Sequence, residues 1–119
     1  MLPRQYRLKK RSAFSATYRT GVSFHKNGIT VFCGKKKCND TPTKIGFVVS
    51  KKIHKRAVKR NRMKRLMRES FRLHIKKSNN NYSSKYISLV FAGSTRLLGK
   101  DFADIDYAMQ KLIGMIEND

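Results

Sequence analysis

The side chains best equipped to bind something in this chain are its cations, and they are sorted by face. From Lys51 to Lys77 there are 13 Lys or Arg and a single acid, Glu69. Wound as a helix at about 100° per residue, Asn61, Lys64, Arg65, Arg68 and Arg72 fall on one side. Met63, Leu66, Met67, Ser70 and His74 fall on the other, with Phe71 at its margin and Arg60 and Arg62 at the two borders. One side can pack on a core while the other offers a ladder of guanidinium and ammonium groups. An ordinary charged face is merely solvated. Here acids are almost absent, so i,i+4 pairing cannot account for the pattern, and like-charge neighbours oppose the helix. A polyphosphate chain removes that opposition: Arg meets phosphate oxygens in a bidentate fork and Lys supplies a point charge. Asn61 is the neutral member, an amide suited to a sugar hydroxyl, to a base edge, or to holding Arg60 or Arg62.

A second constellation is aromatic. Phe14 and Tyr18 are i,i+4 neighbours on a short helix, where core packing is the competing explanation. Phe32 shares a strand face with Thr30, while Ile29, Val31 and Cys33 take the other. An aromatic on the more polar face of a strand, among lysines, is how unpaired bases are stacked.

Chemistry by the chain's own side chains has little support. The acids are Asp40, Glu69, Asp101, Asp104, Asp106, Glu117 and Asp119, and only Asp101, Asp104 and Asp106 cluster. They stand where a helix N-terminus favours acids for capping and dipole reasons. A metal-dependent nuclease needs carboxylates converging on one site. His25, His54 and His74 have no partner pattern for acid–base work, and no Gly-rich phosphate loop is present. Cys33 and Cys38, with four residues between them, fall short of a zinc set and read as a strand residue and a loop thiol in a reducing cytosol.

The elements that must carry these groups follow from pattern. A length of 119 residues with 39% hydrophobic content fits one domain, 1–119, with a modest core. Against 28 basic residues stand 7 acids, a formal charge of +21, and that self-repulsion calls for a polyanionic partner. No run approaches the roughly 20 apolar residues of a spanning helix, so no membrane partner is expected. The charged N-terminus lacks the apolar stretch of a secretory signal, which predicts a cytoplasmic protein. Ser12 is placed to cap a helix over Ala13–Arg19 that Gly21 ends. Strands are expected at Gly28–Cys33, Lys44–Ser50 and Tyr86–Ala92, the last the most apolar. The basic helix should run from Ser50 to about Ile75, and a final helix over Asp104–Ile116 carries the stripe Ile105, Ala108, Met109, Leu112, Ile113 and Ile116. Lys35–Thr43 supplies a turn, and the polar Ser78–Ser84 is expected to be a disordered loop. The result is one α+β layer pair.

The run Val49-Ser-Lys-Lys52, then Arg60-Asn-Arg62-Met-Lys-Arg65-Leu-Met-Arg68-Glu, closely resembles the protein subunit of bacterial ribonuclease P. The likeness extends over nearly the whole chain, including Leu2-Pro-Arg, Phe14, Tyr18 and Gly21, the strand Lys44–Val49 and the last helix. It implies a two-layer α/β sandwich of ribosomal-protein-like topology, in the order α-β-β-β-α-β-α, with a left-handed β-α-β crossover. It further implies a partner, a large catalytic RNA that removes the 5′ leader from precursor tRNA, with one protein per RNA. The Mg²⁺ of that reaction would be bound by the RNA and none by the protein, which would hold no catalytic residue. On matching positions, Lys51, Lys52, Arg60, Asn61, Arg62, Lys64, Arg65 and Arg68 would face the catalytic RNA. Phe14, Tyr18 and Phe32 would line the leader cleft. In two places the chain departs from many members. It reads Ile53-His54-Lys55-Arg56 where they have a Gly after Ser-Lys-Lys. It also has Gly93 where they place an Arg directly after the last strand, and Arg96 comes three residues later. The alternative of another class is a structural protein of the ribosome, which would share both charge and fold.

Overall fold

A computed structural model describes residues 4–37, 42–52, 55–77 and 84–118. Cys38, the Asn39–Thr41 centre of the expected turn, His54 and nearly all of the Ser78–Ser84 loop lie outside them. In chain order the elements are α1 (Arg11–Arg19), β1 (Val22–Lys26), β2 (Ile29–Cys33), β3 (Lys44–Val48), α2 (Ala57–Lys77), β4 (Ser88–Gly93) and α3 (Phe102–Asn118), with 3₁₀ turns at Arg4–Tyr6 and Thr95–Leu97.

The strands form one sheet in the order β1-β2-β4-β3. β1 and β2 pair antiparallel through a two-residue turn, since Lys26 faces Ile29 across it. Asn27 and Gly28 both have positive φ there (47° and 90°), the left-handed pair a tight hairpin needs. β2 and β4 are antiparallel, whereas β3 and β4 run parallel, so α2 is the crossover that joins them.

The strand alternation divides the sheet into two surfaces. Ile29, Val31 and Cys33 of β2, with Leu89 and Phe91 of β4 and Ile45 of β3, are buried beneath α2 and α3. Phe91 stacks on Phe47 (5.7 Å between ring centroids) and Phe71 of α2 closes over both at 5.6 and 6.4 Å. α3 supplies its expected apolar stripe from Ile105 to Ile116, all of it buried. On the opposite surface α1 lies across the sheet, tied to β4 by a buried hydrogen bond between the Thr17 and Ser88 hydroxyls (2.6 Å). Ahead of α1, Leu8 N–H donates to the Ile45 carbonyl (2.9 Å), so the N-terminal segment covers the β3 edge.

Several expectations need correction. α1 begins at Arg11 with Lys10 in the capping position and no side-chain cap, so Ser12 lies inside the helix. Gly21 does sit just past its end at φ 75°. The basic helix starts at Ala57, not Ser50, and Lys51 and Lys52 form a turn in which Lys52 N–H donates to Ser50 Oγ (3.1 Å). Cations packed ahead of Ala57 would oppose the positive end of the helix dipole, which disfavours extending the helix upstream. Phe71 is fully buried, so it is not marginal. The cause is α3, which grips one side of α2: Ser70 Oγ donates to Asp106 Oδ1 (2.6 Å), Gln110 Nε2 donates to the same oxygen (3.3 Å), and His74 lies 3.4 Å from Glu117. That contact turns the buried stripe toward Phe71. β1 was not expected as a separate strand, because at this exposed edge only Phe24 packs against the core.

Candidate RNA interface

The outer side of α2 carries Asn61, Arg65 and Arg68 exposed and Lys64 partly so, one row along the axis. The border arginines are anchored to backbone. Arg60 Nη1 donates to the Lys55 carbonyl (2.7 Å), and Arg62 Nη1 reaches across to the Lys100 carbonyl ahead of α3 (3.0 Å). Each thus spends part of its donor fork on the fold and keeps its charge for the surface. Arg72, by contrast, is engaged: its Nε and Nη2 donate to the two Glu69 oxygens at 3.0 and 2.6 Å. That hydrogen bond holds the Glu69 carboxyl below the usual glutamate range. Lys51 and Lys52 are exposed, but on the turn before α2 and not on its face.

The aromatics meet on the other surface of the sheet. Phe32 and Tyr18 pack edge to face at 5.0 Å and 87°, with Tyr18 still 41% exposed. Partial burial raises the Tyr18 hydroxyl above its ordinary pKa, so it stays a neutral donor. Phe14 lies on Gly46 of β3, where a Cβ would overlap its ring. A lone glycine inside a strand marks such a close approach, and this is the signal that could have located the floor of the cleft. Lys9, Arg11, Phe14, Tyr18 and Val48 line a recess of about 330 Å³. A neighbouring recess of about 300 Å³ is lined by Arg7, Lys9, Phe14, Phe47 and Arg68 among others. Aromatic faces rimmed by cations suit single-stranded nucleic acid, whose bases stack while its phosphates meet the rim.

Arg68 is the residue whose second role was not anticipated. Its guanidinium carbon sits 5.8 Å over the Phe47 ring, so it belongs to the exposed row of α2 and also to the rim of the cleft. Arg7 and Lys9, part of the family likeness, and Arg11 have no cleft role in the sequence reading, because a basic N-terminus gives no sign of which cations turn toward a cleft. Two of the clustered carboxylates are committed to the fold: Asp101 accepts the Asp104 N–H (3.0 Å) as the cap of α3, and Asp106 accepts from Ser70. The capping reading holds for Asp101, and that hydrogen bond lowers its pKa. These acids do not form a site that fits Mg²⁺ among the described residues.

A family model described as Ribonuclease P matches residues 2–117. The ribonuclease P protein component of Clostridium kluyveri is 38% identical over 112 residues, covering 91% of each chain. That of Desulfovibrio desulfuricans is 43% identical over 74 residues; the match covers 62% of this chain and spans only 56% of that one. Among solved structures, the RNase P protein of Staphylococcus aureus has a TM-score of 0.76 at 26% identity, covering 95% of this chain and 98% of that one. The ribosomal-protein alternative is not favoured by these likenesses. This chain belongs to the bacterial ribonuclease P protein family, whose members are subunits of a tRNA-processing endoribonuclease.

Proposed function

We propose that this protein lays α2 against the catalytic RNA of ribonuclease P and holds the single-stranded 5′ leader of precursor tRNA in the aromatic cleft. The single observation that carries this reading is Arg68, which joins the row on α2 to the Phe47 and Phe14 side of the cleft. The two surfaces are thus contiguous, as they must be if the RNA docked on one is to cut a strand held in the other. Arg65, Lys64 and Asn61, flanked by Arg60 and Arg62, meet the catalytic RNA, with Lys51 and Lys52 at its edge. Phe32, Tyr18 and Phe14 stack leader bases. The positive charge screens repulsion between two polyanions. Mature tRNA lacks the leader, so the cleft distinguishes substrate from product.

Bond cleavage in this scheme belongs to the RNA, together with the Mg²⁺ it binds. One protein acts per RNA, in the cytoplasm, with residues 1–119 working as a unit. Reconstitution tests the proposal. Mixed with a bacterial ribonuclease P RNA at low Mg²⁺, the protein should restore cleavage of leader-bearing tRNA, while protein alone with Mg²⁺ should cleave nothing. Multiple turnover by RNA-free protein, or no gain from the mixture, would overturn it.

A further inference from the structure

On the flank of α2 away from the cleft, Arg62 leads to Lys100, and Lys100 borders a cavity of about 430 Å³. We propose that this cavity is a second RNA site, taking one unpaired nucleotide of the same RNA that α2 contacts. The inference rests on the function proposed above and extends it to residues given no role there.

The site is built from three segments. The β1–β2 turn brings Asn27, the Thr95–Leu97 turn brings Arg96, and the start of α3 brings Asp104 and Tyr107. Tyr107 stands outside the buried stripe of α3 and is 52% exposed. An aromatic ring left at the surface of a helix contributes nothing to the core, but it is a ready stacking platform. Lys111, one turn on, holds its ammonium 5.4 Å from the centre of that ring. The Arg96 guanidinium and the Lys100 ammonium have no hydrogen-bond or ion-pair partner among the described residues. Two cations, Arg96 and Lys100, therefore line the cavity with Asp104, whose carboxylate lies beside that of Asp101.

The segment that carries Arg96 is docked on the β1–β2 turn. Ser94 N–H donates to the Gly28 carbonyl (3.0 Å), docking the Thr95–Leu97 turn on the hairpin. Gly28 is required there by its φ of 90°, and a Cβ on it would stand 2.8 Å from Arg96 Cβ. The stem of Arg96 is thus set by backbone packing before any ligand arrives, which reduces the ordering cost of binding.

Chemistry then orients the ligand. A phosphate goes to Arg96 and Lys100, away from the Asp104 carboxylate, and the base lies on Tyr107. Asp104 and the Asn27 amide remain for the base edge. A carboxylate accepts from an exocyclic amine, so adenine, cytosine or guanine is preferred to uracil.

The test is binding of the full chain to labelled catalytic RNA across a salt series, with Arg65→Ala as a control and thermal unfolding to confirm that each variant is folded. Tyr107→Ala should weaken binding by about tenfold, and Tyr107→Phe should not. Arg96→Ala should flatten the slope of log K against log salt by about one unit. Both should leave the ratio of precursor to mature tRNA binding unchanged, since neither touches the cleft. If Tyr107→Ala and Arg96→Ala bind like wild type while Arg65→Ala is weakened, the second site is wrong and the proposed function stands. If the unaltered chain does not hold the catalytic RNA, both fall together.

Discussion

The outer face of α2 and the aromatic cleft are built differently, and the two constructions suit different physics of binding. The face is a local object: Asn61, Lys64, Arg65 and Arg68 are aligned by helical period alone, within eight positions of sequence. Its attraction to phosphate is long in range, tolerant of geometry and indifferent to base, so it needs no floor. The cleft is a tertiary object. Phe14 and Tyr18 come from α1, Phe32 from β2 and Gly46 from β3, and the Tyr18–Phe32 contact exists only once α1 has docked on the sheet. Stacking is short in range and requires an unstacked base, so it selects a single strand. On the proposed function, the face supplies affinity and the cleft supplies discrimination.

Phe32→Ala presses hardest on this contrast. It removes one stacking surface and half of the edge-to-face pair, yet no charge. Binding of leader-bearing tRNA should fall by about 1–3 kcal/mol, mature tRNA should be spared, and the salt slope should stay as it was. Equal losses for both RNAs would mean that Phe32 only packs, and the cleft would lose its claim to discriminate.

The same contrast explains what the sequence reveals. Periodicity placed the α2 face and the α3 stripe correctly because both are set by neighbours three and four residues apart. It also placed Ile29, Val31 and Cys33 of β2 in the core. It failed where a distant element decides. Phe71 looked marginal until α3, held through Ser70 and Asp106, turned that side of α2 inward. The β1 segment Val22–Lys26 lacked a signal because it is an edge strand, mostly exposed, whose pairing depends on β2. Arg68 over Phe47 is of the same kind: its place on the helix was evident, but its neighbour across the fold was not.

Arg65→Ala tests the other half of the contrast. One exposed cation disappears from a surface that packs on nothing, so folding stability should be nearly unchanged. The slope of log K against log salt for the catalytic RNA should become shallower by about one unit, alike for any leader sequence. A loss confined to precursors with long leaders would transfer Arg65 to the cleft. An unchanged slope would remove it from the RNA contacts altogether.

Glu69→Gln should act in the opposite direction and by less. Glu69 is the acid within the basic run, and its two oxygens occupy the Arg72 guanidinium at 2.6 and 3.0 Å. Because the folded-state carboxyl titrates below its usual value, the pair is fully formed above the unfolded glutamate pKa and is lost as pH falls through the lower folded value. At neutral pH it therefore neutralises one rung of the ladder. The amide leaves Arg72 its full charge, so the salt slope should steepen by a fraction of a unit while the helix loses a small i,i+3 contribution. A slope that stays fixed would mean that Arg72 lies beyond the RNA footprint, ending the phosphate-facing row at Arg68.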